Sequence, residues 1–471
     1  MNAAAEQTRI RDWLMPAALQ AGVAGRLRLA EIIGALSYAL DLTEGQPPGH
    51  CLRACWIGMH TGRKLGLGAE ALSDLYYTLL LKDTGCSSNA ARLWELYGGD
   101  DLATKRDFKL VDSQSLLQLA RFVLRHAGPG EALRARVRRL VNLYRNGEAL
   151  ATELVHTRCE RGADIVRRLG FGESVAAGIF SLDEHWNGNG RPLGLRAEAI
   201  PMPARIALLA QVVDVFHAVA GERGADAEVH RRSGSWFDPQ VCAAFSAAAH
   251  EKSFWAGLRP EGLEQRVWAL EPAARTVLID EERLDSIAEA FADIIDAKSS
   301  FTYGHSQRVA RYAEAVAVEL GMSAPRRRWL RRGALLHDIG KLGVSNGILD
   351  KPGRLDTDEW ELVKRHARFT EDILRRVRVF DELAPVAAAH HERPDGTGYP
   401  KRLAGRAISL ETRIITAADI FDAITAARPY RGAIPIEQAL AMMERERDLA
   451  LDGQCLDALR KTAPWLHSAV P

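Results

Sequence analysis

The sequence lacks the features that mark secreted, membrane-spanning and nucleic-acid-binding proteins. Its six cysteines form no CxxC pair, so nothing indicates a disulfide framework or a zinc knuckle. Residues 1–16 carry several charges and no signal-peptide core, and no run of about 18 uninterrupted apolar residues predicts a membrane span. The formal net charge of +1 gives no field that would draw the chain onto nucleic acid or an anionic membrane. We therefore expect a cytoplasmic protein that binds neither nucleic acid nor a membrane.

What the chain has in abundance is helical periodicity. Apolar residues recur mostly at spacings of three, four and seven, and alternating strand patterns are scarce, which predicts an all-α fold. At 471 residues the chain is long enough for more than one domain. Residues 259–280 contain two prolines and little helical period. We therefore predict domains over residues 1–258 and 281–471, with a linker over residues 259–280.

An internal repeat organises the sequence. The same separation of 33 residues joins His50 to Asp83 and His305 to Asp338. Three further landmarks recur in the same order. They pair His156 with His366, the segment Asn187–Pro192 with Asp395–Pro400, and Asp214 with Asp419. Repetition of this kind indicates a tandem duplication of one helical bundle.

The second copy places seven metal-ligating side chains at positions that a bundle turns inward. They are His305, His337, Asp338, His366, His390, His391 and Asp419. A single histidine on an apolar face is usually a hydrogen-bonded core residue, but burying seven such groups unpaired would cost several kcal/mol each. Bound cations would remove that cost. Imidazoles and carboxylates without thiolates favour iron or manganese over structural zinc. Seven ligands exceed one ion, so we expect two divalent ions that share a bridging carboxylate.

Two local patterns accompany these ligands. Asp356 and Glu359 are spaced as a capping pair at the start of the helix that carries His366. Lys341 shares a predicted helical face with His337 and Asp338, which predicts a role beside the ligands.

The motifs of the second copy resemble the HD-GYP family of bacterial cyclic di-GMP phosphodiesterases. They are His337–Lys341, His390–Pro400, Asp419–Ala423 and Arg428–Arg431, within a similarity that spans about residues 285–431. The resemblance implies two tandem HD-type helical bundles, the C-terminal one holding a metal site with iron or manganese. It also implies a phosphodiesterase that hydrolyses cyclic di-GMP to linear pGpG or GMP, by attack of a metal-bridging hydroxide on phosphorus.

The same resemblance assigns roles to individual residues. It implies that the seven side chains above are the metal ligands, with Asp338 as the bridge, and that Asp338 and Lys341 are catalytic. Lys341, Arg428 and Tyr430 would contact the substrate. The loop with Gly396, Gly398, Tyr399 and Pro400 would dock a partner such as a diguanylate cyclase with a GGDEF domain. Phe301 stands where some members have a glutamate for a third metal, so two ions are expected here.

The first copy has lost part of this set. It retains His50, Asp83, His156, His185 and Asp214. At three positions the residue type differs between the copies. The first copy has Lys82, Cys86 and Arg191 where the second has His337, Lys341 and Tyr399. An ammonium at position 82 would repel a divalent ion, so we expect Lys82 to substitute for the metal's charge by pairing with Asp83 and Asp214. This copy would then be regulatory or dimerising, which is compatible with a homodimer.

Two alternatives to cyclic di-GMP hydrolysis stay open at this point. The substrate could be another cyclic dinucleotide, such as cyclic GMP-AMP, or a mononucleotide. The chain could also be a non-catalytic adaptor that binds nucleotide or a diguanylate cyclase. The complete ligand set argues against an adaptor, because a silent copy is free to lose ligands.

Overall fold

The computed structural model describes residues 27–273, 277–299, 304–426 and 432–467, with side chains up to residue 463. The all-α prediction is confirmed, and no strand occurs in these ranges. The helices of the N-terminal half are α1 Leu29–Thr43, α2 His50–Lys64, α3 Ala69–Leu81, α4 Ala90–Tyr97, α5 Asp101–Phe108, α6 Leu116–His126, α7 Leu133–Arg168, α8 Glu173–Phe180, α9 Met202–Arg232, α10 Pro239–Ala249, α11 Lys252–Ala256 and α12 Leu263–Trp268. Those of the C-terminal half are α13 Glu281–Asp296, α14 His305–Glu319, α15 Ala324–Leu336, α16 Asn346–Leu349, α17 Thr357–Leu374, α18 Leu383–Ala388, α19 Leu410–Thr425, α20 Ile436–Glu444 and α21 Gly453–His467.

Helix α17 shows how the sequence sets these boundaries. The Asp356 carboxylate accepts a hydrogen bond from the Glu359 amide at 2.9 Å, and the Glu359 carboxylate accepts one from the Asp356 amide at 2.8 Å. The predicted capping box is confirmed, and it satisfies amide groups that a helix start would leave unpaired. The buried face of α17 carries His366, Thr370 and Ile373 at helical spacing. The cap therefore fixes the register that turns His366 inward.

Helix α15 ends earlier than the periodicity of its sequence predicts. It stops at Leu336, and a 3₁₀ turn over Ile339–Gly343 follows it. The expectation of one helical face running through Lys341 is therefore wrong. The physical reason is a close approach, because a Cβ atom at Gly340 would collide with the His366 carbonyl of α17. The turn that Gly340 permits places Asp338 beside His366.

The two halves share one continuous hydrophobic core. Helix α1 packs against the 3₁₀ turn Ile339–Gly343 and against α17, and α13 packs against α7. Asp101 of the N-terminal half accepts hydrogen bonds from the Ser345 hydroxyl at 2.8 Å and the Asn346 amide at 2.7 Å. The Lys298 ammonium lies 3.6 Å from the same buried carboxylate. The halves are thus joined by buried polar contacts as well as by apolar packing.

The segment expected as a linker, residues 259–280, is partly structured. Its helix α12 places Leu263 and Val267 in the core beside α2. The Tyr77 hydroxyl donates to the Glu271 carboxylate at 2.6 Å. At the far end, the Ile279 amide donates to the Leu27 carbonyl at 3.0 Å. This segment therefore packs on the N-terminal half along most of its described length.

Helix α9 is, among the described helices, the one that is long and apolar enough to cross a membrane by length and composition. However, 61% of its most apolar 18-residue window is buried inside the protein. It also carries the buried polar side chains Gln211 and Asp214. These properties are typical of a core helix.

Candidate metal centre

Five separate segments bring the seven predicted ligands to one place. His305 begins α14, His337 and Asp338 follow α15, His366 lies on α17, His390 and His391 follow α18, and Asp419 lies on α19. They form overlapping groups of three whose ligand atoms lie within 4.8 Å of one another. Those groups are His305, His337 and Asp338, then His366, His390 and His391, then His337, His390 and Asp419.

Asp338 stands between two sets of imidazoles. Its Oδ2 lies 3.7 Å from His305 Nε2 and 3.2 Å from His337 Nε2. Its Oδ1 lies 3.6 Å from His366 Nε2 and 3.6 Å from His390 Nε2. Because each carboxylate oxygen faces a different pair of rings, the arrangement is that of a carboxylate able to bridge two cations.

Asp419 belongs to the first of these sets. Its Oδ1 lies 3.2 Å from His305 Nε2 and 3.9 Å from His337 Nε2. The two sets adjoin each other, since His366 Nε2 and His390 Nε2 are 3.5 Å apart. The centre is therefore a single cluster with two neighbouring groups of donor atoms.

The backbone orients three of the imidazoles. In His337, His366 and His390, Nδ1 donates to the carbonyl three residues earlier in the chain, at 2.7, 2.6 and 2.7 Å. A carbonyl can only accept, so Nδ1 carries the hydrogen and Nε2 keeps its lone pair for the cluster. This is the outer contact that holds a histidine in metal-ligating geometry.

His305 is held by a carboxylate instead. Its Nδ1 donates to Asp422 Oδ2 at 2.7 Å, and Arg308 Nε donates to Asp422 Oδ1 at 2.6 Å. Sequence reasoning overlooked both supporting residues. A usable signal existed, because Asp422 follows Asp419 by one helical turn and Arg308 follows His305 by one helical turn.

The donor set fits bound cations. His337 Nε2 and Asp338 Oδ1 are buried, and neither makes a hydrogen bond with any described residue. Leaving such atoms unpaired is costly, and a cation is the partner that would satisfy a nitrogen lone pair and a carboxylate together. The buried histidine and aspartate clusters can therefore hold metal ions.

The electrostatics divide the cluster into two poles. Burial would lower the pKa of His305, but hydrogen bonds to Asp338, Asp419 and Asp422 raise it well above its usual value. Burial lowers the pKa of His366 to about 3, against the attraction of Asp338. The carboxylate pole, formed by Asp338, Asp419 and Asp422 around His305, thus attracts positive charge. The histidine pole around His366 presents neutral imidazole, which is the form that binds metals.

A cavity of about 760 Å³ opens over this cluster. His390 and His391 form its inner wall, and Tyr399 stands beside them with its ring 4.8 Å from that of His391. Lys341 forms an ion pair with Asp338, and its side chain is 23% exposed. Gly398 and Pro400, expected with Tyr399 in a partner-docking loop, also line the cavity. The positions of Phe301, Arg428 and Tyr430 lie outside the described residues.

The N-terminal half contains a related arrangement with a shifted correspondence. His50 Nδ1 donates to Asp214 Oδ2 at 2.7 Å, and Arg53 Nε donates to Asp214 Oδ1 at 2.6 Å. These contacts match those of His305 and Arg308 with Asp422. Asp214 therefore corresponds to Asp422, and Gln211, one helical turn earlier, stands where the other half has Asp419.

Two more expected correspondences change in the same way. Gly85 approaches the Arg158 carbonyl as Gly340 approaches the His366 carbonyl, so Arg158 rather than His156 matches His366. The His156 side chain is 49% exposed. Glu184 accepts hydrogen bonds from two loop amides as Glu392 does, which aligns His185 with Arg393 and not with His390 or His391.

Cationic side chains fill the interior of this N-terminal cluster. The Lys82 ammonium forms an ion pair with Asp83 and lies 3.0 Å from His50 Nε2. Lys109 Nζ lies 3.6 Å from Asp83 Oδ1 and 2.9 Å from Glu44 Oε2. The expected pairing of Lys82 with Asp83 is present, whereas Asp214 pairs with Arg53 instead. Although Glu44, Asp83 and Cys86 are spaced closely enough to hold an ion, lysines already neutralise the carboxylates.

Comparison with known proteins places the chain in a family. The sequence pattern of the HD domain matches residues 138–241 and 289–455. A Vibrio cholerae protein named 3′3′-cGAMP-specific phosphodiesterase 3 is 52% identical over 433 residues, which cover 92% of this chain and 94% of that protein. A crystal structure of a cyclic GMP-AMP specific phosphodiesterase of V. cholerae (V-cGAP3) matches with a TM-score of 0.64 and 46% identity, covering 94% of this chain and 98% of that one.

These findings overturn the expected substrate. The relative named cyclic di-GMP phosphodiesterase response regulator RpfG, from Xanthomonas campestris pv. campestris, is 38% identical over only 42% of this chain. The relative and the solved structure that match almost the whole chain are both described as specific for cyclic GMP-AMP. The expectation of cyclic di-GMP hydrolysis is therefore wrong. The expected enzyme class is confirmed, and the chain belongs to the HD domain phosphodiesterases of the HD-GYP type.

Proposed function

We propose that the protein hydrolyses a phosphodiester bond of 3′3′-cGAMP. The observation that carries this proposal is the 52% identity to the V. cholerae 3′3′-cGAMP-specific phosphodiesterase 3 over 92% of this chain. That match includes both halves of the molecule, whereas the match to RpfG covers 42% of the chain. Substrate choice is a property of the whole cavity and its surroundings, so a relative that matches both halves is the better guide.

Two divalent ions, iron or manganese, would be held by the seven predicted ligands, with Asp338 as the bridge. When bound, the ions would supply a more acidic water and neutralise charge on the phosphoryl group. The chain's own contribution is orientation. Asp422 and the three backbone carbonyls hold the imidazoles so that no reorganisation is needed when substrate arrives.

Lys341 and the cavity wall supply positive charge for the substrate. Lys341 sits beside Asp338 and reaches solvent, which suits an ammonium that contacts a phosphoryl oxygen or the attacking water. Lys364, Arg365 and Arg368 line the same cavity from α17. A cyclic dinucleotide carries two phosphodiester groups, so a cavity with several cations fits its charge.

We also propose that the chain consists of two tandem HD-type bundles. Residues 1–258 would form a degenerate regulatory or dimerising copy, residues 259–280 a link, and residues 281–471 the catalytic copy. Two equivalences support this division. Asp214 accepts from His50 as Asp422 accepts from His305, and Gly85 approaches a helix carbonyl as Gly340 does. Lys82 and Arg158 stand in the first copy where the second has His337 and His366, which supports a metal-free role. We propose a cytoplasmic location for the whole chain.

A direct substrate comparison tests the proposed function. The purified protein would be incubated separately with 3′3′-cGAMP, cyclic di-GMP and cyclic di-AMP, and linear product would be quantified by chromatography. We expect kcat/KM for 3′3′-cGAMP to exceed the others by at least about tenfold, a ratio that one or two base contacts can supply. Asp338→Ala is the control for a contaminating enzyme. Equal or faster turnover of cyclic di-GMP would contradict the proposal, and metal binding without any turnover would support a non-catalytic adaptor.

A further inference from the structure

One loop at the mouth of the cavity is fixed by a buried carboxylate. Glu392 is 1% exposed and accepts hydrogen bonds from the Lys401 amide at 2.5 Å and the Leu403 amide at 2.8 Å. The two amides flank a single residue, Arg402. Because the carboxylate is buried and both of its oxygens are used, the backbone on either side of Arg402 is held in place.

Arg402 has an unusual backbone conformation for its residue type. Its φ is +54°, in the left-handed region that non-glycine residues rarely adopt. The N-terminal half builds the same turn, with Glu184 accepting from Leu193 at 2.6 Å and Leu195 at 2.8 Å. There the residue between the two amides is Gly194, with φ +68°. The turn is therefore made without strain by glycine, and the C-terminal half carries an arginine at a conformational cost.

Arg402 is an exposed residue on the wall of the cavity over the metal centre. It lines the 760 Å³ cavity together with His390 and His391. Two neighbouring cations are neutralised, since Lys401 pairs with Glu371 and Arg393 pairs with Asp395. Within the described parts of the chain, the Arg402 side chain forms no hydrogen bond or ion pair. Its strained backbone is therefore not offset by a polar contact of its side chain within these ranges, and its place on the cavity wall gives it access to a ligand.

We propose that Arg402 is a substrate-binding residue that donates hydrogen bonds to the phosphodiester that is not cleaved. This inference rests on the proposed function, because a cyclic dinucleotide has two phosphodiesters and only one can lie at the metal centre. The other needs a cation elsewhere in the cavity. A guanidinium offers two parallel donors that match two phosphate oxygens, which a lysine ammonium does not.

The test replaces Arg402 with the residue that the other half uses. In the full-length, metal-loaded protein, R402G should raise KM for 3′3′-cGAMP by at least about tenfold while kcat changes less than about threefold, as expected for loss of a charge-assisted hydrogen bond. R402K should give a smaller rise in KM, because it retains the charge without the fork. The melting temperature of R402G should equal or exceed that of the wild type, since glycine relieves the backbone strain.

Two control variants isolate the side chain from the loop. R406A removes an exposed arginine four residues further along that does not line the cavity, and KM should stay within twofold of the wild type. A197G removes the backbone strain of a left-handed residue in the other half, Ala197 with φ +51°, and it should leave KM unchanged. A KM for R402G within twofold of the wild type, or a fall in kcat accompanied by a lower melting temperature, would overturn the inference. If the wild type turned over a different cyclic dinucleotide, the proposed function would fail, and the same comparison on that substrate would still decide the role of Arg402.

Discussion

His50 and His305 occupy matching places in the two halves of the molecule, but their surroundings differ in charge. Each begins a helix, and each donates from Nδ1 to a buried aspartate at 2.7 Å. Burial and the adjacent Lys82 lower the pKa of His50 to about 4. Around His305, three carboxylates outweigh burial and raise the pKa well above its usual value. The N-terminal cluster thus contains a cation of its own chain, Lys82, whereas the C-terminal cluster can hold one from outside.

This difference in charge is the basis of the proposed division into a catalytic and a non-catalytic half. In the N-terminal cluster, Lys82 and Lys109 already compensate the charge of Asp83, which weakens the case for a bound ion there. In the C-terminal cluster, buried donor atoms of His337 and Asp338 have no hydrogen-bond partner among the described residues. The charge of a bundle interior, rather than its fold, decides whether it can hold metal.

Removing the central aspartate should have the largest effect and should separate the halves. Asp338→Asn is expected to lower kcat/KM by at least about 10³-fold, because it removes the bridging charge of the metal centre. Asp83→Asn, its counterpart, should leave kcat/KM of the folded protein within about fivefold, since mutations remote from the chemistry act through stability. Both would be measured by steady-state kinetics on 3′3′-cGAMP. A comparable loss in the two variants would break the proposed division of roles.

Removing the lysine that pairs with the central aspartate of each half should have opposite consequences. Lys82 is 2% exposed, and Lys82→Met would leave Asp83 buried with one fewer cation, so we expect a loss of about 3 kcal/mol of unfolding free energy. Lys341→Met should cost less than about 1 kcal/mol of stability, because Lys341 is partly solvated. It should nevertheless reduce turnover. Urea unfolding and activity measured on the same preparations would check both, and an equal stability loss would show that Lys82 has no special role.

Acidification should lower the free energy of unfolding, because His50 is buried in its neutral form. The pKa of His50 is about 4 in the folded protein against 6.5 as its ordinary value, so folding disfavours its protonation. Its stability contribution is complete above about pH 6.5 and is lost as the pH falls towards 4. Between pH 6.5 and 5 the loss attributable to His50 should be about 2 kcal/mol. His50→Gln should flatten the dependence of unfolding free energy on pH in this window, and an unchanged slope would contradict the assignment.

The smallest expected effect concerns the two helices that carry His366 and Arg158. Helix α17 begins with the Asp356 capping box, whereas Ala132 precedes α7 at the N-cap position and provides no side-chain cap. Asp356→Ala should therefore lower stability by about 1 kcal/mol, and Ala132→Asp should raise it by up to about 1 kcal/mol. Thermal unfolding of both variants would measure this. A similar change in both would show that capping does not distinguish the helices.

The sequence predicts the elements whose signals are local and periodic. The all-α fold and the capping box follow from apolar spacing and a four-residue motif, and the predicted ligands come together because they lie on, or just beyond the ends of, helices whose apolar faces turn inward. The end of α15 at Leu336 could not be predicted from periodicity, since it depends on Gly340 meeting the backbone of a distant helix. Substrate choice was also mispredicted, because the residues that contact the bases could not be placed from one sequence.

The alignment of the two halves shows a different limit of prediction from sequence. Asp214 aligns with Asp419 by sequence but with Asp422 by contact, because aspartates one helical turn apart lie on the same face. Arg158 escaped notice because a histidine two residues earlier offered a closer chemical match. In a degenerate copy the identities that guide an alignment are the ones that have changed, so only the packing reveals the true partners.

Metal content per chain tests the central claim most directly. Mass spectrometric metal analysis of the wild type, Asp83→Asn and Asp338→Asn would be performed on protein purified identically. We expect about two ions per chain in the wild type and in Asp83→Asn, and their loss in Asp338→Asn. Loss of an ion from Asp83→Asn, or retention of both ions in Asp338→Asn, would contradict the assignment of the metal centre to the C-terminal half.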